Sequence, residues 1–167
     1  MTVRPIVRFP DPRLRQAAEP VGSFDEALRS LAADLLDTLR AAPGIGITAP
    51  HVGILQRLVV LQLDAGAAAR VYVNPRIVWT SEERIRHREG SISMPGVAEE
   101  IERHARVHVR YQDLSGTEQI EEADGLLAVC HQHESDQLDG IFWIDRLSRL
   151  KRERAIKRYE KQRRGVS

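Results

Sequence analysis

Apolar residues at Phe24, Leu28, Leu31, Leu35 and Leu39 recur every three to four positions, which predicts an amphipathic helix over 24–41. Ser23, with Glu26 three residues on, reads as its capping box, and Pro43 with Gly44 as its stop. A glycine-punctuated segment follows over 44–51. The pattern then changes. Branched apolar residues over 57–63 and 71–79 suit strands, and over 106–112 Val107, Val109 and Tyr111 alternate with polar neighbours as a half-buried strand does. Residues 113–116, Asp-Leu-Ser-Gly, predict a hairpin turn into a strand at 118–122.

Asp124 is placed as the N-cap of a second helix over 125–138, with Leu126, Leu127, Cys130 and Leu138 as its buried residues and Gly140 as its stop. A third helix is expected from 146 to about 163 or 164, where Leu147, Leu150 and Tyr159 form a thin apolar stripe on a basic surface. Strands flanked by helices without regular strand-helix-strand units imply an α+β fold.

At 167 residues, with 42% apolar and 29% charged positions, the chain is expected to form one domain over 1–167 with an ordinary core. Its single cysteine, Cys130, has no intramolecular partner, and the first residues lack the apolar centre of a secretion signal. The longest apolar runs, at 58–61 and 126–130, fall far short of the ~18 residues of a membrane span. A soluble protein of the reducing cytoplasm, with no membrane partner, is the expectation. Charge is unevenly spread: from Arg146 onward ten Arg or Lys stand against two Glu, leaving fifteen basic and twenty-two acidic of the chain's 25 and 24 to the rest. A basic tail is attached to an acidic body, a pattern that suits contact with a phosphate backbone.

The chemistry concentrates on the second helix, in His131-Gln-His133-Glu134-Ser-Asp136-Gln137. The zinc-hydrolase pattern His-Glu-x-x-His sets two imidazoles four apart on one helix face, with the Glu as general base. His133 and Glu134 match it, but Gln137 stands where the second imidazole belongs, and by itself the segment reads as surface or core histidine.

Two more segments change that reading. Gly44-Ile-Gly46-Ile-Thr-Ala-Pro-His51, Glu89-Gly90-Ser91-Ile92-Ser93 and Gln132-His133-Glu134-Ser-Asp136-Gln137, in that order, together resemble the peptide deformylase family, whose motifs read Gly-φ-Gly-φ-Ala-Ala-x-Gln, Glu-Gly-Cys-Leu-Ser and Gln-His-Glu-φ-Asp-His, φ being apolar. Asp11-Pro-Arg-Leu-Arg15, 56–60, Asn74-Pro75 and 122–127 extend the likeness over nearly the whole chain. The resemblance implies antiparallel strands packed around the motif-bearing helix, with a C-terminal basic helix over 146–164. It also implies a divalent metal, iron or zinc, held by the Cys of the second motif and both His of the third. The Glu of the third motif then shuttles protons for a metal-bound water that attacks the formyl group of a nascent N-formylmethionyl peptide.

Transferred position by position, that scheme keeps His133 as a metal ligand and Glu134 as the catalytic residue. It loses the other two ligands, to Ser91 and Gln137, and the Gln that should polarise the formyl oxygen, to His51. A neutral hydroxyl and an amide oxygen are far weaker donors than thiolate and imidazole. The expectation is therefore an absent or weakly bound metal, and weak or absent deformylase activity. Two rescue readings stand beside it: His51, His133 and Glu134 as an altered two-histidine, one-carboxylate metal set, and Ser91 as a nucleophile with His133 or His51 as base. A groove for N-terminal peptide segments, lined by Gly46, Ile47, His51, Ser91 and Ile92, is expected to outlive the metal, the peptide lying along the backbone as an added strand. His87, His104 and His108 are read as surface side chains, Trp79 and Trp143 as packing residues. The basic last helix is either a solvated cap or, by resemblance, an element that docks on ribosomal RNA through Arg152, Arg154, Lys157, Arg158, Lys161, Arg163 and Arg164. A non-catalytic protein that binds the ribosome or nascent peptides is the matching alternative to an enzyme.

Overall fold

A computed structural model describes residues 1–165. The first helix, α1 (Glu26–Ala41), lays Leu28, Leu31, Leu35 and Leu39 against the sheet, as their spacing requires. Its cap is Asp25 rather than Ser23: the Asp25 carboxylate accepts from the Leu28 N–H at 3.0 Å. A carboxylate also complements the helix dipole at that end.

Five strands form one antiparallel sheet in the order β1 (Gly46–Thr48), β2 (Leu58–Leu61), β3 (Arg70–Thr80), β6 (Arg106–Gln112), β7 (Glu118–Asp124). β1 is an edge strand, paired to β2 through Gly46 with Leu61 and Ile47 with Val60. Between β3 and β6 in the chain lies a second, two-stranded sheet, β4 (Arg84–Ser91) and β5 (Met94–His104). Its segment is dense in charge, so periodicity does not announce it. Its alternation is nonetheless regular: Ile85, His87, Glu89 and Ser91 are less exposed than Arg84, Arg86, Arg88 and Gly90.

The central helix α2 (Gly125–Leu138) begins and ends where expected, but Asp124 makes no side-chain capping bond. It touches β1, β2, β3, β5, β6 and β7, and being enclosed over most of its length it buries His131, Gln132, Glu134, Asp136 and Gln137 beside Ala128, Val129 and Leu138. Leu127 is half-buried and packs against the core, whereas Leu126 is exposed, contrary to its reading as core. The last helix, α3 (Arg149–Gly165), starts three residues later than expected, after a 3-10 turn at Trp143–Arg146. It packs on β5 through Ala155 and Tyr159, with Ile156 half-buried. Leu147 is buried ahead of it, whereas Leu150 is 58% exposed and belongs to no stripe. Trp143 is core, while Trp79 is exposed and lies against the ring of His108.

Candidate active site

A cavity of about 460 Å³ opens where α2 meets the edge strand β1 and the β4–β5 sheet. Gly44 to Gly46 form one wall, His87 to Ile92 another, and Val129, Cys130, His133 and Glu134 the floor. Gly46 is required by close approach: a Cβ there would lie 2.9 Å from Glu134 Oε2 and 2.9 Å from Leu61 Cδ2. Of the expected groove residues, Gly46, His51, Ser91 and Ile92 line this cavity. Ile47 does not: its side chain is fully buried in the core beneath α1, because alternation along β1 turns it to the opposite face. His87 does line it, and its ring Nδ1 is buried without a partner, so it is not a plain surface side chain.

Behind the cavity lies a saturated ionic network. His133 Nδ1 is 2.8 Å from Glu89 Oε1. Glu89 takes a two-pronged bond from Arg103, through Nε and Nη2, each 2.8 Å long. The third donor of Arg103 reaches Asp136 Oδ2 at 2.7 Å, and Arg146 grips both oxygens of Asp136. Burial by itself would raise the Glu89 carboxyl, but the bonds from Arg103 and His133 outweigh it and hold the group at about 2. Burial likewise disfavours the charged His133 ring, yet its bond to Glu89 and the nearby Glu134 raise it above the usual histidine value.

On the cavity side the situation is reversed. Glu134 is 3% exposed, and neither carboxylate oxygen has a hydrogen-bond partner. Its nearest cation is His133, with Nε2 3.5 Å from Oε1. Burial pushes its carboxyl up to about 7. His51 is 1% exposed, and its Nδ1 accepts the Thr48 backbone N–H at 2.9 Å. Burial, then the charge of His133, pushes its pKa down to about 3. The neutral ring with an occupied Nδ1 carries its proton on Nε2, which is also without a partner.

The two altered ligand positions are hydrogen-bonded within the protein. Ser91 Oγ accepts the Ser93 N–H at 3.0 Å, and Gln137 Nε2 donates to the Leu14 carbonyl at 2.8 Å, outside the cavity lining. Among the described residues no three His, Cys, Asp or Glu side chains come together as a metal site, so the altered set of His51, His133 and Glu134 is not assembled. His133 is the one strong donor left of the three ligand positions. These residues do not fit the metal that the resemblance implies. The Ser91 hydroxyl, bonded to Ser93, is also not hydrogen-bonded to either histidine, so no nucleophile-base pair is formed.

The same arrangement of strands and helices is found in a solved peptide deformylase from Legionella pneumophila, with a TM-score of 0.93 and 38% identity over 98% of this chain and 96% of that one. A family model described as polypeptide deformylase matches residues 3–153. The chain belongs to the polypeptide deformylase family. Within that family its similarity is uneven. It is 73% identical over 161 residues, 96% of the chain and 98% of the relative, to a protein of Brucella suis biovar 1 named "Peptide deformylase-like". It is 45% identical over 164 residues, 96% and 94%, to another from the same organism named "Peptide deformylase".

Deformylases are hydrolases that depend on a metal, and the family motifs carried His133, Glu134 and Glu89 into view from sequence alone. Arg103 and Arg146 were missed. The inward face of β5 includes Val97, Ile101 and Arg103, and a lone arginine in such a charged strand gives no signal that it is buried.

Proposed function

We propose that this family member binds N-terminal peptide segments in the cavity but hydrolyses formyl peptides weakly or not at all, because it holds metal weakly or not at all. One observation carries this reading: of the two altered ligand positions, Ser91 brings to the cavity only a neutral hydroxyl, which accepts from the Ser93 N–H, and Gln137 is turned out of it to the Leu14 carbonyl. A structural-type zinc site is worth ~10–16 kcal/mol, so losing two of three protein donors removes most of the affinity. Without a metal-bound water, Glu134 has no nucleophile to deprotonate.

The test is elemental analysis of anaerobically purified protein, with hydrolysis of formyl-Met-Ala-Ser measured on the same sample. The expected result is well under one equivalent of iron, zinc or nickel and little hydrolysis. Stoichiometric metal with substantial turnover overturns the reading in favour of an altered hydrolase. Ser91→Cys with Gln137→His is expected to restore metal binding, and adding His51→Gln to restore measurable hydrolysis through Glu134.

A second reading concerns α3. Only Ala155 and Tyr159 of this helix are buried; Arg154, Lys157, Arg158, Lys161 and Arg163 are exposed, and Arg152 is half-buried. We propose that they meet ribosomal RNA phosphates in the cytoplasm. Co-sedimentation with ribosomes should then fall by orders of magnitude between ~50 and 200 mM salt. Its absence at low salt overturns this reading.

A further inference from the structure

Six buried side-chain nitrogen or oxygen atoms among the described residues lack a hydrogen-bond partner, and four of them belong to residues that line the cavity at α2: Glu134 Oε1 and Oε2, His51 Nε2 and His87 Nδ1. Buried polar atoms are nearly always satisfied, so such a convergence calls for a polar ligand. The Glu134 oxygens are acceptors and require donors. His51 is fixed as a donor at Nε2, because the Thr48 backbone N–H occupies Nδ1. The rest of the cavity is mostly apolar, with Ile45, Ile92, Val97, Leu126 and Val129 along its walls. Gly44 to Gly46 bring the free edge of β1 alongside.

We infer that the cavity takes an unblocked peptide N-terminus, its α-ammonium group donating to the two free oxygens of Glu134, in preference to a formylated one. This rests on the proposed reading of the cavity as a peptide site and names the end group it selects. An ammonium brings three donors and a positive charge to a buried acceptor pair, and charge-assisted bonds of that kind are the strong ones. The adjoining peptide carbonyl supplies the acceptor that His51 Nε2–H needs, and an apolar first side chain fills the apolar walls. A formylated terminus has a single N–H and adds a carbonyl oxygen, leaving Glu134 with a buried oxygen still unpaired. Residues that no longer fit a metal thus fit the amine that deformylation would release.

The experiment is calorimetric titration of the full chain, as purified, with three peptides. These are Met-Ala-Ser, formyl-Met-Ala-Ser and the analogue of Met-Ala-Ser in which hydrogen replaces the α-amino group. Met-Ala-Ser should bind at least ~10-fold more tightly than the other two. In Glu134→Gln, which keeps the shape and removes the charge, the free and formylated peptides should come within ~3-fold of each other, with the circular dichroism spectrum and melting curve confirming the fold. The wild-type comparison stands without any variant. Formyl-Met-Ala-Ser binding as tightly as Met-Ala-Ser, or more tightly, overturns the choice of amine and leaves the peptide site intact. Binding of none of the three overturns both.

Discussion

Two buried carboxylates touch opposite sides of one imidazole. Glu89, on the Nδ1 side of His133, is held by Arg103 and sits at about 2. Glu134, on the Nε2 side, is unpartnered and sits at about 7. The support behind the site is complete while the face that should meet the metal is not. A pre-oriented His133 is therefore no sign that catalysis survives: the same network of Glu89, Arg103, Asp136 and Arg146 also joins α2 to β4, β5 and the turn before α3, a structural task independent of any metal.

The largest effect should come from breaking the network at its centre. Arg103→Met removes the two-pronged partner of Glu89, leaving it only His133, and one partner of Asp136, while retaining bulk. Stripping one side of a buried ion pair costs about 3–5 kcal/mol. In a chain of this size that is a fall of about 6–20 °C in melting temperature, read by calorimetry. A fall of under 2 °C would show that the network is not what holds the sheets together.

Next in size is the acid response of Glu89. Its carboxyl is lowered in the folded state from 4.5 to about 2, so the folded chain binds fewer protons than the unfolded chain in that window. The stability it contributes is complete above pH 4.5 and lost as the pH falls through 2. It amounts to about 3 kcal/mol, less whatever other acids share the transition. Urea unfolding of wild type and Glu89→Gln should differ at pH 6 and converge toward pH 2.

Glu134 runs the other way. Its carboxyl is raised in the folded state, so the folded chain holds a proton that the unfolded chain has released, and stability falls as the pH rises from 4.5 through 7. Glu134→Gln removes that penalty. The variant should match wild type near pH 4.5 and exceed it by about 1–3 kcal/mol at pH 8. Equal stability at pH 8 would mean that the Glu134 oxygens are satisfied in solution.

How much of this was legible in advance follows from where the signals lay. Leucine spacing announced α1, and α2 came out over its full length, although Asp25 and not Ser23 caps the first and Asp124 makes no side-chain capping bond to the second. β4 and β5 did not, because their inward positions include His87, Glu89 and Arg103, and periodicity arguments look for apolar residues there. The motif residues His51, Ser91, His133 and Glu134 all line one cavity. Ile47 failed because a motif marks a stretch of chain, whereas only the pleat decides which side chains of that stretch face the cavity. The commitment of Gln137 to Leu14 was also beyond reach, since the two residues meet only through the fold.

That commitment supplies the smallest and most pointed test. If Gln137 now serves the structure, Gln137→His alone should cost about 1 kcal/mol, because the Leu14 carbonyl loses a buried donor. Zinc should not recover that loss, since His133 and a single added imidazole make a two-donor site. In the Ser91→Cys background the same substitution should be stabilised by zinc, with the melting temperature rising as zinc is added, because three donors then converge. Stabilisation by zinc in Gln137→His without the cysteine would show that a third group, such as His51 or Glu134, can swing into the coordination sphere. The unpaired face of the site would then be adaptable rather than lost, and the contrast with the saturated network behind it would narrow.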